Sequence, residues 1–237
     1  MARIIQLAVL LCVFIFTACK TEVAPPEESP KEEVELKAVF SYLALGDSYT
    51  IGESVAEAMR WPVQLQAKLE AEGTEVLSPE IIARTGWTTD ELQVAIERSA
   101  LADTFDLVSL LIGVNNQYRS YDFTRYEKEF VELLDRAIKF AQGDKKRVFV
   151  VSIPDYGATP FGQSGNPQKI GEELDQYNAY AQSVCEAREI PFFNITPISR
   201  EALNDPELVA RDDLHPSGKM YSQWVDLFWE EVQVLVE

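Results

Sequence analysis

The sequence predicts an α/β fold in which helices cover a parallel β-sheet. From Ala38 onward, short apolar runs alternate with longer amphipathic segments, which is the pattern of such a fold. The first, third and fourth apolar runs are nearly continuous, as expected for strands buried on both faces. The 237 residues are 46% hydrophobic and 25% charged, a globular composition with enough chain for one domain of ordinary size.

The elements can be placed in chain order from these patterns. Strands are predicted at Val39–Leu45, Val76–Ala83, Leu107–Ile112, Arg147–Ile153 and Phe192–Ile195. Helices are predicted at Trp61–Glu72, Thr89–Ala100, Phe123–Gln142, Gln168–Glu189 and from Ser217 to about Val236. Thr89 and the two acids after it are typical of a helix start, and Gly73 and Gly143 stand just past helix ends.

The first 18 residues have the layout of a cleaved secretion signal, with Arg3 before an apolar run at Ile4–Phe16. Small residues then precede Cys19, which resembles the lipobox of bacterial lipoproteins. That resemblance implies a diacylglyceryl group on Cys19 and a lipid-anchored location in a bacterial cell envelope. Lys20 after the cysteine favours the outer membrane or cell surface over the inner membrane. A transmembrane anchor, the alternative, needs about 20 apolar residues, more than this run contains.

Residues 19–37 are rich in proline and glutamate and predict an extended tether, because they cannot bury apolar surface and their charges repel. Residues 38–237 form the predicted catalytic domain. Cys12 would leave with the signal and Cys19 would be acylated, so Cys185 would be the free thiol of the mature chain. These assignments exclude an intramolecular disulfide.

Charge and residue content exclude several classes of partner. The net charge is −18, with 39 acidic and 21 basic residues, and no Lys/Arg cluster could follow a phosphate backbone. We therefore expect neither nucleic acid nor direct electrostatic binding to anionic lipid. With one histidine and no calcium-type loop, the sequence predicts no metal and no other cofactor. It does not indicate an oligomeric state.

The first chemical motif is Gly46-Asp47-Ser48, where the first strand ends and the chain must turn. A hydroxyl at this position projects from the carboxyl edge of the sheet, where open α/β folds place their sites. The same three residues also suit an ordinary strand-to-loop turn.

The second motif contains His215, the single histidine of the sequence, three residues after Asp212. A carboxylate at this spacing can meet the imidazole within one turn, set its tautomer and stabilise the imidazolium. The spacing favours a functional histidine over one that is merely exposed or packed.

Two further segments, Arg84–Thr89 and Ile112–Asn116, follow the second and third strands. The four segments together resemble the block pattern of the SGNH hydrolases, also called the GDSL esterase and lipase family, over residues 45–218. The resemblance implies a three-layer α/β/α sandwich, flavodoxin-like, with a five-stranded parallel sheet of order 2-1-3-4-5. That order places the first strand between the second and third, so their three ends would lie side by side.

Residue by residue, the resemblance implies a catalytic triad of Ser48, Asp212 and His215, with Ser48 as nucleophile and His215 as general base. It implies an oxyanion hole formed by the amides of Ser48 and Gly86 and the side chain of Asn115. An oxyanion hole must gather donors around one oxygen, which three neighbouring strand ends can do.

The sequence departs from the family pattern at two positions. Tyr49 stands where the family name has Leu, and Asn116 stands where the third block commonly has Asp. After the fourth strand, residues 152–157 and Phe161 suit either the substrate side of a site or a turn-rich connection.

The residues and the resemblance together predict a serine esterase that hydrolyses carboxylic esters through an acyl-enzyme. The sequence has no long apolar insertion that could cover a fatty chain, so short acyl groups are favoured, including O-acetyl groups of carbohydrates. Alternatives within the family are a lysophospholipase and an acyltransferase. Two non-catalytic alternatives are a flavodoxin-like phosphate or flavin binder that uses Gly46–Thr50, and an inactive relative that binds glycans.

Overall fold

The computed structural model describes residues 39–236. The predicted signal segment 1–18, the lipidation site Cys19 and the tether 19–37 lie outside these residues and stay predictions. The strands are β1 Val39–Phe40, β2 Tyr42–Gly46, β3 Glu75–Val76, β4 Glu80–Ala83, β5 Leu107–Leu111, β6 Val148–Val151 and β7 Phe192–Phe193. The helices are α1 Ser48–Ile51, α2 Trp61–Ala71, α3 Thr89–Arg98, α4 Val114–Tyr118, α5 Phe123–Phe140, α6 Pro160–Gln163, α7 Pro167–Arg188, α8 Thr196–Arg200 and α9 Gly218–Val236. Single 3₁₀ turns lie at Glu57–Met59, Lys145–Arg147, Tyr156–Ala158, Glu201–Leu203 and Pro206–Leu208.

The central sheet has five parallel strands in the order β4-β2-β5-β6-β7. This order confirms the predicted arrangement, with the first sheet strand between the second and third. Gly46 at the end of β2 pairs with Ala83 of β4 and with Leu111 of β5. The chain therefore leaves three neighbouring strands at the same edge of the sheet, where ligand sites of parallel sheets lie.

The predicted first strand, Val39–Leu45, is wrong in extent because it is divided at Ser41. The backbone N–H and the hydroxyl of Ser41 both donate to Oδ2 of Asp106, at 3.0 and 2.8 Å. The residues before this point form β1, which pairs with β3 in a separate two-stranded sheet. A carboxylate from a distant part of the chain thus interrupts a run that is continuously apolar on both sides of Ser41.

The other predicted strands are also longer than the observed ones. Val76–Ala83 is divided between β3 and β4, and Pro79 in the gap has no N–H to donate to a ladder. Near β6 and β7, Oγ of Ser152 accepts the amides of Ile195 and Thr196, at 2.9 and 3.2 Å. Those side-chain bonds replace ladder bonds, so the sheet ends earlier than the apolar runs do.

The five predicted helices are confirmed, with ends that differ by no more than two residues. Gly73 and Gly143, at φ +95° and +85°, follow the C-terminal ends of α2 and α5, as expected of residues that reverse the chain there. Helices α2 and α9 pack together, while α3, α5 and α7 pack as a second group, and the two groups flank the sheet. The short helices α1, α4, α6 and α8 were not predicted, because a single turn shows no amphipathic period.

The core beside α2 is built from aromatic rings. Trp61 packs edge-on against Phe149 of β6 and Phe228 of α9, with ring centroids 6.2 and 6.0 Å apart. Phe228 also stacks on Phe193 of β7 at 5.1 Å. These contacts join α9, which follows His215 closely, to the sheet that carries Ser48.

Candidate active site

Ser48 is the first residue of α1, directly after β2, and is only 5% exposed. The turn into α1 is closed by Asp47, whose Oδ1 accepts the Tyr49 amide at 3.0 Å. Gly46 leaves no room for a side chain, since a Cβ there would lie 2.6 Å from the carbonyl oxygen of Leu111. The strand end therefore enters a tight turn that presents Ser48 at the sheet edge.

Asp47 itself is fully buried. Burial raises the pKa of its carboxyl to about 7, although the hydrogen bond from the Tyr49 amide partly offsets this. Its role is local, because it caps the helix that begins with Ser48.

Asp212 and His215 are joined as their spacing predicts. Oδ2 of Asp212 lies 2.7 Å from the ring Nδ1 of His215, and Oδ1 accepts the His215 amide at 2.9 Å. Two backbone links hold the turn, from Ala210 N–H to the His215 carbonyl at 2.7 Å and from Ser217 N–H to the Leu208 carbonyl at 2.8 Å. The carboxylate therefore faces Nδ1 and leaves Nε2 as the ring nitrogen free for proton transfer.

The Asp212 carboxylate is held in its charged form. Partial burial opposes ionisation, but hydrogen bonds from Ser54, from the His215 ring and amide and from the Leu214 amide outweigh it. The pKa of Asp212 therefore lies well below its usual range. Sequence reasoning did not predict the contribution of Ser54, which lies far from Asp212 along the chain.

Asp213, the neighbouring carboxylate, is exposed and has a left-handed backbone with φ +62°. Its carbonyl accepts the Phe161 amide at 3.0 Å. The reversal at Asp213 turns the chain between Asp212 and His215, so that Asp212 lies against the imidazole.

Gly86 lies in a turn closed by the Trp87 amide and the Arg84 carbonyl, at 3.2 Å. Its φ of +88° is one that glycine adopts readily, and it reorients the peptide between residues 85 and 86. Nη2 of Arg119 donates to the Gly86 carbonyl at 2.6 Å and so holds this turn from the side.

Asn115 is the second residue of α4, and its Nδ2 donates to the Trp87 carbonyl at 2.9 Å. This bond ties Asn115 to the turn that contains Gly86. An amide nitrogen carries two hydrogens, so Nδ2 keeps a second donor for the cavity.

The side chain of Asn116 bonds to Thr89, three residues after Gly86. It is fully buried, its Oδ1 accepts the Thr89 amide at 3.0 Å, and its Nδ2 donates to the Thr89 hydroxyl at 2.6 Å. Asparagine thus supplies a supporting hydrogen bond at the position where the family commonly has aspartate.

One cavity of about 160 Å³ brings the predicted residues together. Its lining includes Ser48, Gly86, Asn115 and His215. Asp212 is not part of the lining but is hydrogen-bonded to Nδ1 of His215. The structure thus brings together the five residues of the predicted triad and oxyanion hole.

Aromatic residues form the far side of this cavity. Tyr156 and Phe161 line it, so the segment after β6 lies on the cavity side rather than serving only as a connection. Tyr118, which the sequence analysis did not single out, also lines the cavity and is 56% exposed. A residue at the end of a five-residue helix shows no pattern that could have identified it.

Cys185 does not compete with Ser48 as a nucleophile. Its side chain is buried within α7, and burial raises the pKa of its thiol to about 12. A thiol of this kind stays protonated and unreactive at neutral pH.

Residues 44–223 match the model of the GDSL-like lipase/acylhydrolase family. The chain belongs to this family. Members hydrolyse carboxylic esters, so the chain is a carboxylic ester hydrolase, and the predicted enzyme class is confirmed. This assignment replaces the flavodoxin-like phosphate or flavin binder considered from the sequence.

Individual relatives are consistent with the family match. An acetylxylan esterase of Geobacillus stearothermophilus is 27% identical over 158 residues, which are 65% of this chain and 69% of that protein. A lipase/acylhydrolase structure from Enterococcus faecalis has a TM-score of 0.61 and 19% identity, covering 82% of this chain and 96% of that one. An acetyl xylan esterase structure has a TM-score of 0.64 and 18% identity, covering 81% and 100%. At these identities the two structures support the fold of this family member.

Two structural features are absent from the described residues of this family member. None of the helices within residues 39–236 combines the length and the hydrophobicity that a transmembrane span requires. In the same range, no three His, Cys, Asp or Glu side chains gather where they could hold a metal ion.

Proposed function

We propose that this family member is a serine esterase that removes short acyl groups, including O-acetyl groups of carbohydrates, through an acyl-enzyme on Ser48. The observation that supports it best is the Asp212–His215 pair, hydrogen-bonded at 2.7 Å, beside a cavity that Ser48, Gly86 and Asn115 also line.

The proposed reaction begins when the Ser48 hydroxyl attacks the acyl carbon and Nε2 of His215 takes its proton. The carbonyl oxygen becomes an oxyanion that accepts hydrogen bonds from the amides of Ser48 and Gly86 and from Nδ2 of Asn115. Asp212 stabilises the imidazolium. When the intermediate collapses, the bond to the alcohol oxygen breaks and His215 returns the proton to it. Water then attacks the acyl carbon of the acyl-enzyme while His215 takes a proton from it. The bond to the Ser48 oxygen breaks, His215 returns the proton to Ser48, and the acid leaves.

The size of the cavity supports a short acyl group. Its volume of about 160 Å³ is below the roughly 300–1,000 Å³ of clefts that bury drug-sized ligands. The name of the acetylxylan esterase relative gives an acetylated carbohydrate as its substrate, and this favours acetylated carbohydrates as the substrate class of this chain. The exposed ring of Tyr118 beside the cavity offers an apolar face to a sugar.

A series of aryl esters from acetyl to palmitoyl tests this specificity. We expect kcat/KM to be highest for the shortest chains, since one methylene too many for a small pocket costs about 1–3 kcal/mol of transition-state binding. Release of acetate from acetylated xylo-oligosaccharides, measured in parallel, checks the carbohydrate part. Rates that rise toward long chains would favour a lipase or lysophospholipase, and acetyl transfer to an added sugar in preference to water would favour an acyltransferase.

Asn115→Ala is expected to lower kcat by about 10²–10³, because it removes a donor that acts on the developing oxyanion. KM should change little, since the ground-state carbonyl carries less charge. Asn204→Ala, an exposed asparagine next to the 3₁₀ turn at 201–203, is the matched control and should keep full turnover. Steady-state kinetics on an aryl acetate measure both, and an unchanged rate for Asn115→Ala would mean that the oxyanion is bound elsewhere.

We also propose that Cys19 anchors the enzyme to a bacterial envelope membrane through lipid, with residues 19–37 as the tether. The sequence before Cys19 supports this. Detergent phase separation of the full chain should place it in the detergent phase, whereas Cys19→Ala should move it to the aqueous phase with its esterase activity intact. Wild-type protein in the aqueous phase would contradict the anchor.

A further inference from the structure

Ser54 lies in the segment that follows α1, six residues after Ser48. Its hydroxyl donates to Oδ2 of Asp212 at 2.5 Å, and this is the same oxygen that faces Nδ1 of His215 at 2.7 Å. The two residues are 158 positions apart in sequence. The hydroxyl thus connects the segment after the nucleophile to the acid of the predicted triad.

The segment around Ser54 is itself attached to the nucleophile helix. The Glu53 amide donates to the Ser48 carbonyl at 3.0 Å, and the Glu53 carboxylate accepts the hydroxyl of Thr85, next to Gly86. Two consecutive side chains therefore reach the two flanks of the site, with Glu53 contacting the Gly86 turn and Ser54 contacting Asp212.

The two oxygens of Asp212 are held in different ways. Oδ1 accepts the amides of Leu214 and His215, at 3.1 and 2.9 Å, which belong to the same turn as Asp212. Oδ2 accepts from the imidazole and from Ser54. Nδ1 of His215 donates to Oδ2 in both charge states of the ring, and Ser54 is the second donor to Oδ2, whose own charge does not change during proton transfer.

We propose that Ser54 is a positioning residue, which holds the Asp212 carboxylate in the plane and charge state that orient His215 for proton transfer. This inference rests on the proposed ester hydrolysis by Ser48. It goes further because it assigns a role to a residue outside the triad and the oxyanion hole. A hydrogen bond to a charged acceptor is among the stronger ones, so its loss should be measurable in turnover.

The backbone at Ser54 makes a clean test possible. Its φ is +66°, a region that glycine adopts without strain and that other residues seldom enter. Ser54→Gly therefore removes the hydroxyl while it relieves backbone strain, so part of the stability lost with the hydrogen bond is offset and the variant should fold. A residue whose importance is only structural would then show no loss of activity.

We expect Ser54→Gly to lower kcat on an aryl acetate by about five- to tenfold, with KM within about twofold. The matched control is Gln142→Gly, at an exposed position after α5 with φ +59°. It relieves strain of the same kind far from the cavity and should leave kcat and KM unchanged. Because the chain has one histidine, the ¹⁵N signals of the His215 ring can be followed without ambiguity. Ser54→Gly should shift them, whereas Gln142→Gly should not.

A double-mutant cycle decides whether Ser54 acts through Asp212. In the Asp212→Asn background, adding Ser54→Gly should lower kcat by less than about twofold, because the carboxylate that the hydroxyl holds is already gone. A full additive loss, or an unchanged kcat for Ser54→Gly alone, would overturn the inference. If the proposed hydrolysis itself is wrong, wild type and Ser48→Ala will have the same rate, an outcome separate from any result at Ser54.

Discussion

Ser48→Ala is expected to abolish turnover and acyl-enzyme formation. In a serine protease of the same catalytic logic, removal of the nucleophile costs about 10⁶ in kcat, and a loss of that order is expected here. The variant should remain folded, because the turn at Ser48 is held by Gly46 and by the Asp47 cap rather than by the hydroxyl.

A fluorophosphonate probe followed by peptide mass spectrometry measures the nucleophile directly. We expect label on Ser48 in the wild type and none in Ser48→Ala. Ser183→Ala is the matched control, since this exposed serine on α7 donates only to the Tyr180 carbonyl among the described contacts. It should be labelled at Ser48 and keep full activity. Label on another residue would show that the nucleophile has been assigned wrongly.

Asp212→Asn and Asp213→Asn are expected to differ by orders of magnitude although the residues are adjacent. The Asp212 side chain lies 2.7 Å from Nδ1 of His215, so an amide there would bring the wrong partner and remove the charge that stabilises the imidazolium. The equivalent change in the serine protease template costs about 10⁴ in kcat, which bounds the loss expected here.

Asp213→Asn should cost less than about tenfold, because Asp213 is exposed and contacts Phe161 through its backbone carbonyl. Asparagine also tolerates its φ of +62°, so this variant keeps the turn intact. The opposite ranking would mean that Asp213 orients His215. Equal small losses would mean that the chain operates with a Ser-His dyad.

Stability measured against pH provides a check on the state of Asp212. Its pKa lies below the usual range in the folded chain, so its ionised form stabilises folding above the ordinary aspartate pKa. That stabilisation is lost as the pH falls through the folded pKa. Asp212→Asn should therefore melt earlier than the wild type near neutral pH and approach it in strong acid, a trend that thermal unfolding measures.

The sequence alone determined much of the fold and of the predicted site. Apolar runs located the sheet strands, and helix periodicity with capping residues located α2, α3, α5, α7 and α9, because both signals arise from neighbours a few residues apart. Ser48 could be singled out because it follows a strand end, and His215 because Asp212 precedes it by three, whereas the roles of Gly86 and Asn115 were implied by the resemblance to the SGNH hydrolases. Each of these relations is local in the chain, and the resemblance then ordered the strands.

The tertiary structure alone decided how distant side chains complete these local features. Asp106 divides the first strand at Ser41, Arg119 holds the Gly86 carbonyl, and Ser54 reaches Asp212 across 158 positions. None of these contacts follows a helical or strand period. They form only after the sheet order has brought the segments together, because a hydrogen bond depends on the distance between two atoms and not on the separation of their residues in the chain.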